Sequence, residues 1–148
     1  MRFNDKQTVL GQLNIRLFDQ AGRLKDERHI HNLVVASGLA WMAARYVGTP
    51  PAMSHMAVGA GVAPPAPANT ALGAELGRAA LTSQTSLLNV STFSAMFAAG
   101  VGSGAITEAG IFTAPAAGTM LNRATFPVVN KGPLDTIQIN WTVTQAAG

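Results

Sequence analysis

The run from Thr136 to Thr144 constrains the fold more than any other segment. Ile137, Ile139, Trp141 and Val143 alternate with Gln138, Asn140, Thr142 and Thr144. A period of two places one set on each face of a strand, one face buried and one wet. The same period appears at Leu13, Ile15 and Leu17, separated by Asn14 and Arg16. Asp19-Gln20-Ala21-Gly22 reads as a turn, and residues 24–31 return as the second strand of a hairpin. Shorter strands are expected over 54–58, 79–82, 88–97, 106–112 and 119–126. Residues 60–70 read as an Ala/Pro-rich loop, 70–76 as one helical turn, and 100–104 as a glycine loop. One segment departs from strand spacing. Leu39, Ala40, Met42, Ala43, Tyr46 and Val47 recur at helical spacing behind Ser37, a good N-cap, until Gly48 and Pro50-Pro51 end the run. These signals predict a mainly β chain: a single β-sandwich or jelly-roll-like domain over residues 1–148, with one amphipathic helix from Ser37 to Val47. Residues 1–31 read as an N-terminal arm or hairpin available for docking.

Composition narrows the chemistry. Charged residues make up 11% of the 148, against about 25% in ordinary domains. A surface built from Ser, Thr, Asn and Gln loses less on desolvation than an ionic one, which suits protein contact. The net charge of +3 comes from ten scattered basic residues. No run of five exists, so a phosphate-tracking patch for nucleic acid is not expected. Cysteine is absent, which excludes disulfides, zinc thiolates and cysteine nucleophiles. Residues 1–8 lack the basic-then-apolar pattern of a leader. The stretch 33–47 is too short to span a bilayer and contains Arg45, so no membrane partner is expected.

Catalytic constellations are thin. His29 and His31 share one strand face, a spacing that suits a metal, but Asp26 and Glu27 are the nearby carboxylates, and a solvated strand edge is the expectation. Ser54 and His55, adjacent on a strand, should point to opposite faces and form no nucleophile–base pair. Beyond residue 27 the acids are Glu75, Glu108 and Asp135, a poor basis for paired-carboxylate hydrolysis. Gly100, Gly102 and Gly104 do not make a dinucleotide fingerprint. No catalytic, cofactor or metal residue is assigned. Glu108 lies in an apolar strand and must face water or meet a cation. Arg123 on the next strand is its natural partner, with Arg78 the second option, in a structural ion pair. Trp141, Phe93 and Phe97 read as core, as do Met42, Met53, Met56, Met96 and Met120. Trp41 and Tyr46 are candidates for exposure on the helix.

A set of blocks gives the chain a resemblance. Ser54-His55-Met56-Ala57-Val58-Gly59-Ala60-Gly61 is followed by Asn69-Thr70-Ala71-Leu72-Gly73-Ala74-Glu75-Leu76-Gly77-Arg78. Gly104-Ala105-Ile106-Thr107-Glu108-Ala109-Gly110-Ile111-Phe112 and Gly118-Thr119-Met120-Leu121-Asn122-Arg123 come next. Asp135-Thr136-Ile137-Gln138-Ile139-Asn140-Trp141-Thr142-Val143 closes the series. In this order, over residues 32–144, they resemble small virion structural proteins of tailed bacteriophages, of the head-decoration (cement) or tail-fibre type. The resemblance implies no reaction and no cofactor. It implies a protein made in the host bacterial cytoplasm and carried in the virion. There it would bind the major capsid protein as an oligomer, a trimer in the simplest case, and stabilise the head. The alternative is a tail fibre, collar or baseplate component involved in host attachment. Candidate interface residues are Met1, Arg2, Phe3 and Asn4 in the arm, Pro64, Pro65 and Pro67 in the proline loop, and Val101 and Ser103 in the glycine loop.

Overall fold

A computed structural model describes residues 8–147. The elements are β1 (Thr8–Phe18), β2 (Leu24–Val34), α1 (Ala36–Val47), β3 (His55–Gly59), β4 (Glu75–Leu87), β5 (Val90–Phe97), β6 (Gly104–Phe112), β7 (Met120–Lys131) and β8 (Thr136–Ala146). The chain is mainly β, as the alternation implies. The strands close a single antiparallel barrel, β1-β2-β7-β6-β3-β4-β5-β8, in place of the expected two-sheet sandwich or jelly roll. Closure depends on two strands that change neighbours along their length. β4 pairs with β3 from Glu75 to Ala80 and with β5 from Leu81 to Leu87, bulging between Leu81 and Ser83. β2 pairs with β1 as far as Asn32 and with β7 at Leu33 and Val34 alone. The first hairpin supplies two staves of the barrel, because β1 sits between β2 and β8.

The interior is packed. Leu13, Ile15 and Leu17 of β1 meet Trp141, Ile139 and Ile137 of β8 in direct register, and Phe93, Ala95 and Phe97 of β5 face the same three. All nine are buried. The Trp141 indole N–H finds Asn32 Oδ1 at 2.7 Å. Where β2 leaves β7, the inner face changes character. Asp26 and Arg28 stand opposite Leu17 and Ile15, bond to one another at 3.0 Å, and Arg28 Nη2 reaches Val128 O at 3.5 Å. Inward charges at a seam discourage further pairing along it.

Several local expectations shift. Residues 70–74 form no helical turn, for a reason given below. The strands expected at 79–82 and 88–97 are parts of the β4–β5 hairpin, whose turn is Leu88-Asn89. Leu88 adopts φ 53° there. α1 begins one residue early behind Val35, and Ser37 makes no cap: its hydroxyl donates to Met120 O at 2.8 Å. Gly38 is the buried residue of α1. A Cβ at that position would collide with Leu121 O, so glycine sets how closely the helix approaches β7. Trp41 and Met42 pack on the core, while Leu39, Tyr46 and Val47 stay exposed. Met96 is also exposed, outside the core expected for it, because it shares β5's outer face with Ser94.

Candidate interaction surface

The predicted ion pair forms, and it is the centre of a larger assembly. Glu108 is fully buried on the wall made by β3, β6 and β7. Its Oε2 accepts from Arg123 Nη2 at 2.8 Å and Nε at 3.0 Å. It also accepts the backbone N–H groups of Gly61, Ala74 and Gly73 at 2.7, 2.8 and 2.9 Å. Burial alone would raise the Glu108 pKa. The N–H groups of Gly73 and Ala74, the Arg123 guanidinium and the Gly61 N–H outweigh it and hold the carboxyl below its ordinary range. Arg123 Nη1 reaches Asn69 Oδ1 at 3.1 Å and Pro64 O at 3.4 Å.

Residues 60–74 are therefore strapped across the outside of the barrel. Pro67 O takes the Ala36 N–H at 2.8 Å, and Leu72 packs on Val35, Ala57, Phe112 and Met120 in a small second core. The captured N–H groups of Gly73 and Ala74 explain why this segment is no helical turn. Arg78, the second option for Glu108, instead pairs with Glu75 and donates to Ala114 O and Ala117 O, both at 2.9 Å. Its guanidinium stacks 3.9 Å from the Phe112 ring centroid. Pro64 and Pro67 keep exposed rings on the strap, and Pro65 is half-buried. Val101 packs on the core and Ser103 is half-buried. The expected arm residues Met1, Arg2, Phe3 and Asn4 lie outside the described residues.

The histidines are scattered. His29 and His31 are exposed on β2, with His29 Nε2 3.2 Å from Glu27 Oε1. Among the described residues no three metal-ligating side chains converge. Ser54 precedes β3, so the strand argument does not govern it, and its Oγ lies 2.8 Å from His55 Nδ1. The expected separation of these two side chains fails for that reason.

The two barrel ends differ sharply. The far end, with the β1–β2 and β7–β8 turns, carries ionic contacts. Lys25 Nζ meets Asp135 Oδ2 at 2.7 Å and Arg23 Nε meets Asp19 Oδ2 at 2.9 Å. Lys131 Nζ donates to Ala98 O at 3.0 Å. The Asp135 carboxyl is held low, first by Lys25 and then by the Gly132 N–H. Leu24 and Leu134 are exposed among these charges.

The helix end gathers α1, the β4–β5 turn and the start of β1. Exposed there are Leu10, Leu39, Tyr46 (74%), Val47 (91%), Leu87 (77%) and Leu88 (95%). Among the described residues the exposed charge at this end is Arg45; Arg78 reaches it from the wall but is covered. Among the described residues the carboxylates lie toward the far end, on the wall or under the strap. A groove of about 260 Å³ runs between α1 and the hairpin, lined by Trp41, Arg45, Met53, Gln84, Ser86 and Phe93. It adjoins a second hollow of about 230 Å³ that Tyr46 and Gln145 help to line. The sequence reading missed the Leu87-Leu88 tip, because it started a strand at Leu88 and assigned 83–87 to no element. The usable signal was Asn89, a turn-former between alternating runs. No protein-family model matches the chain, and no curated protein or solved structure shows significant similarity to it.

Proposed function

We propose that the protein is a non-enzymatic structural component of a tailed-bacteriophage particle, a capsid decoration protein that docks on the major capsid lattice through its helix end. The observation that carries the docking role is the helix end, apolar and without an acid among the described residues, on a barrel whose core is filled. A monomer rarely leaves contiguous apolar surface open without a partner. Leu87 and Leu88 at a hairpin tip, and Tyr46 across the hollow it lines with Ser91, are suited to burial against another protein. The phage assignment rests on the block order of residues 32–144. Binding to the assembled lattice and not to free subunits would stabilise the shell by mass action, and many weak copies would act together. Self-association into trimers on the lattice belongs to the same reading.

Quantifying the protein against the major capsid protein in purified particles tests it. Near one copy per capsid subunit is the expected result. A few to a few dozen copies would move the protein to a tail, collar or baseplate position. Absence from particles would overturn the reading.

A further inference from the structure

β4 has an uncovered edge. β3 accompanies it as far as Ala80, and Ser54 O takes the Leu81 N–H at 2.9 Å. Upstream of Ser54 the chain turns away at Pro50-Pro51, which have no N–H to continue a ladder. Their carbonyls are used by the helix instead: Arg45 Nη1 reaches Pro50 O at 3.1 Å and Trp41 Nε1 reaches Pro51 O at 2.7 Å. On its other side β4 continues paired with β5 to Leu87. Residues 82–87 are thus bonded along one edge, are all exposed, and meet no strand on the other among the described residues. Six residues extend about 20 Å at strand spacing. This edge borders the groove under α1, where Gln84 and Ser86 face Trp41 and Arg45. Arg45 lies 5.5 Å from the Trp41 ring centroid and has no carboxylate partner among the described residues.

We propose that residues 82–87 take an extended segment of the partner protein as an added strand, and that a carboxylate side chain of that segment meets Arg45. The identity of the partner as a particle protein rests on the docking reading above. An open strand edge offers main-chain donors and acceptors at strand spacing, which another strand matches residue by residue. The groove beside it supplies side-chain selection. Its charge is that of Arg45, so an acid is favoured and a base is repelled. A second copy of this chain is the poorer occupant. A symmetric β4–β4 contact would set Arg45 near Arg45, and the chain's described carboxylates lie away from this end.

The test uses the full chain and synthetic ten-residue peptides of alternating Thr and Val, with a single central Asp or a single central Lys. Binding is read by fluorescence anisotropy, and amide exchange is followed across the chain. The Asp peptide should bind about tenfold tighter than the Lys peptide. Arg45→Glu, on an exposed side chain, should reverse that order with unchanged circular dichroism. Alternate amides of residues 82–87 should gain protection when the Asp peptide is bound. Equal binding of the two peptides, or protection elsewhere than 82–87, would overturn the proposal. So would protection of 82–87 that rises with protein concentration without peptide, which would assign the edge to a second copy. Particle binding separates the two readings. Wild-type-like particle binding by Arg45→Glu overturns this inference and leaves docking intact. Selective peptide binding by a chain that never joins particles overturns docking alone.

Discussion

The strapped wall and the helix end answer the same problem in opposite ways. On the wall, residues 60–74 cross the barrel and spend three backbone N–H groups and an arginine on one carboxylate. Leu72 shields the apolar side chains beneath. At the helix end, leucines project and Arg45 meets no acid among the described residues. The chain therefore has the means to cover a surface, and among the described residues none covers this one. That contrast gives the exposed leucines meaning that single exposed residues lack.

The largest expected effect breaks the covered side. Glu108→Gln leaves the Arg123 charge buried beside a neutral amide, and losing one partner of a buried pair costs about 3–5 kcal/mol. Chemical denaturation should show that loss. Amide exchange at Gly61, Gly73 and Ala74 should rise before the rest of the barrel opens. Wild-type protection at those three amides in the variant would mean the strap is held by Leu72 packing alone.

The same carboxylate sets a pH dependence. Its folded pKa lies below its ordinary 4.5, so the unfolded chain binds the proton more readily. The stabilisation is complete above about pH 4.5 and is lost as pH falls through the folded value. Wild type should lose stability on acidification in that window, and Glu108→Gln should lose less. Parallel curves for the two proteins would refute the assignment.

The hairpin tip gives a smaller effect of the other sign. Leu88 holds φ 53°, a conformation that costs an L-residue about 1–2 kcal/mol. Leu88→Gly removes that cost and an exposed leucine together, so thermal stability should rise by about 1 kcal/mol. Binding to particles should fall in the same variant. A variant both stabler and fully competent to bind would remove the tip from the docking surface. Last, Ser37→Ala deletes the bond to Met120 O, a loss of about 1 kcal/mol, with helix-end binding unchanged.

Legibility in the sequence followed the same division. β8 was plain, because every second residue from Ile137 to Val143 is apolar and every one is buried. Glu108 and Arg123 were paired in advance, because an acid in an apolar strand needs a cation. The proline loop was recognisable as a loop, but not its route, which is fixed by N–H donors that any residue carries. Barrel closure was hidden for a related reason. β4 is long, and its second half, Thr82-Ser83-Gln84-Thr85-Ser86, is polar on both faces, so alternation has nothing to mark. The helix end was masked because exposed leucines and buried leucines spell the same pattern.

A ring of staves is only as continuous as its thinnest joint. β1 and β8 share eleven residue pairs, and β2 and β7 share two. When native molecules fluctuate, the least costly breach parts β2 from β7. It turns the cylinder into a curled ribbon whose middle stays hydrogen-bonded. The first hairpin would then swing as a hinged panel on β8, and its amides facing the joint should be the earliest in the barrel to exchange with water.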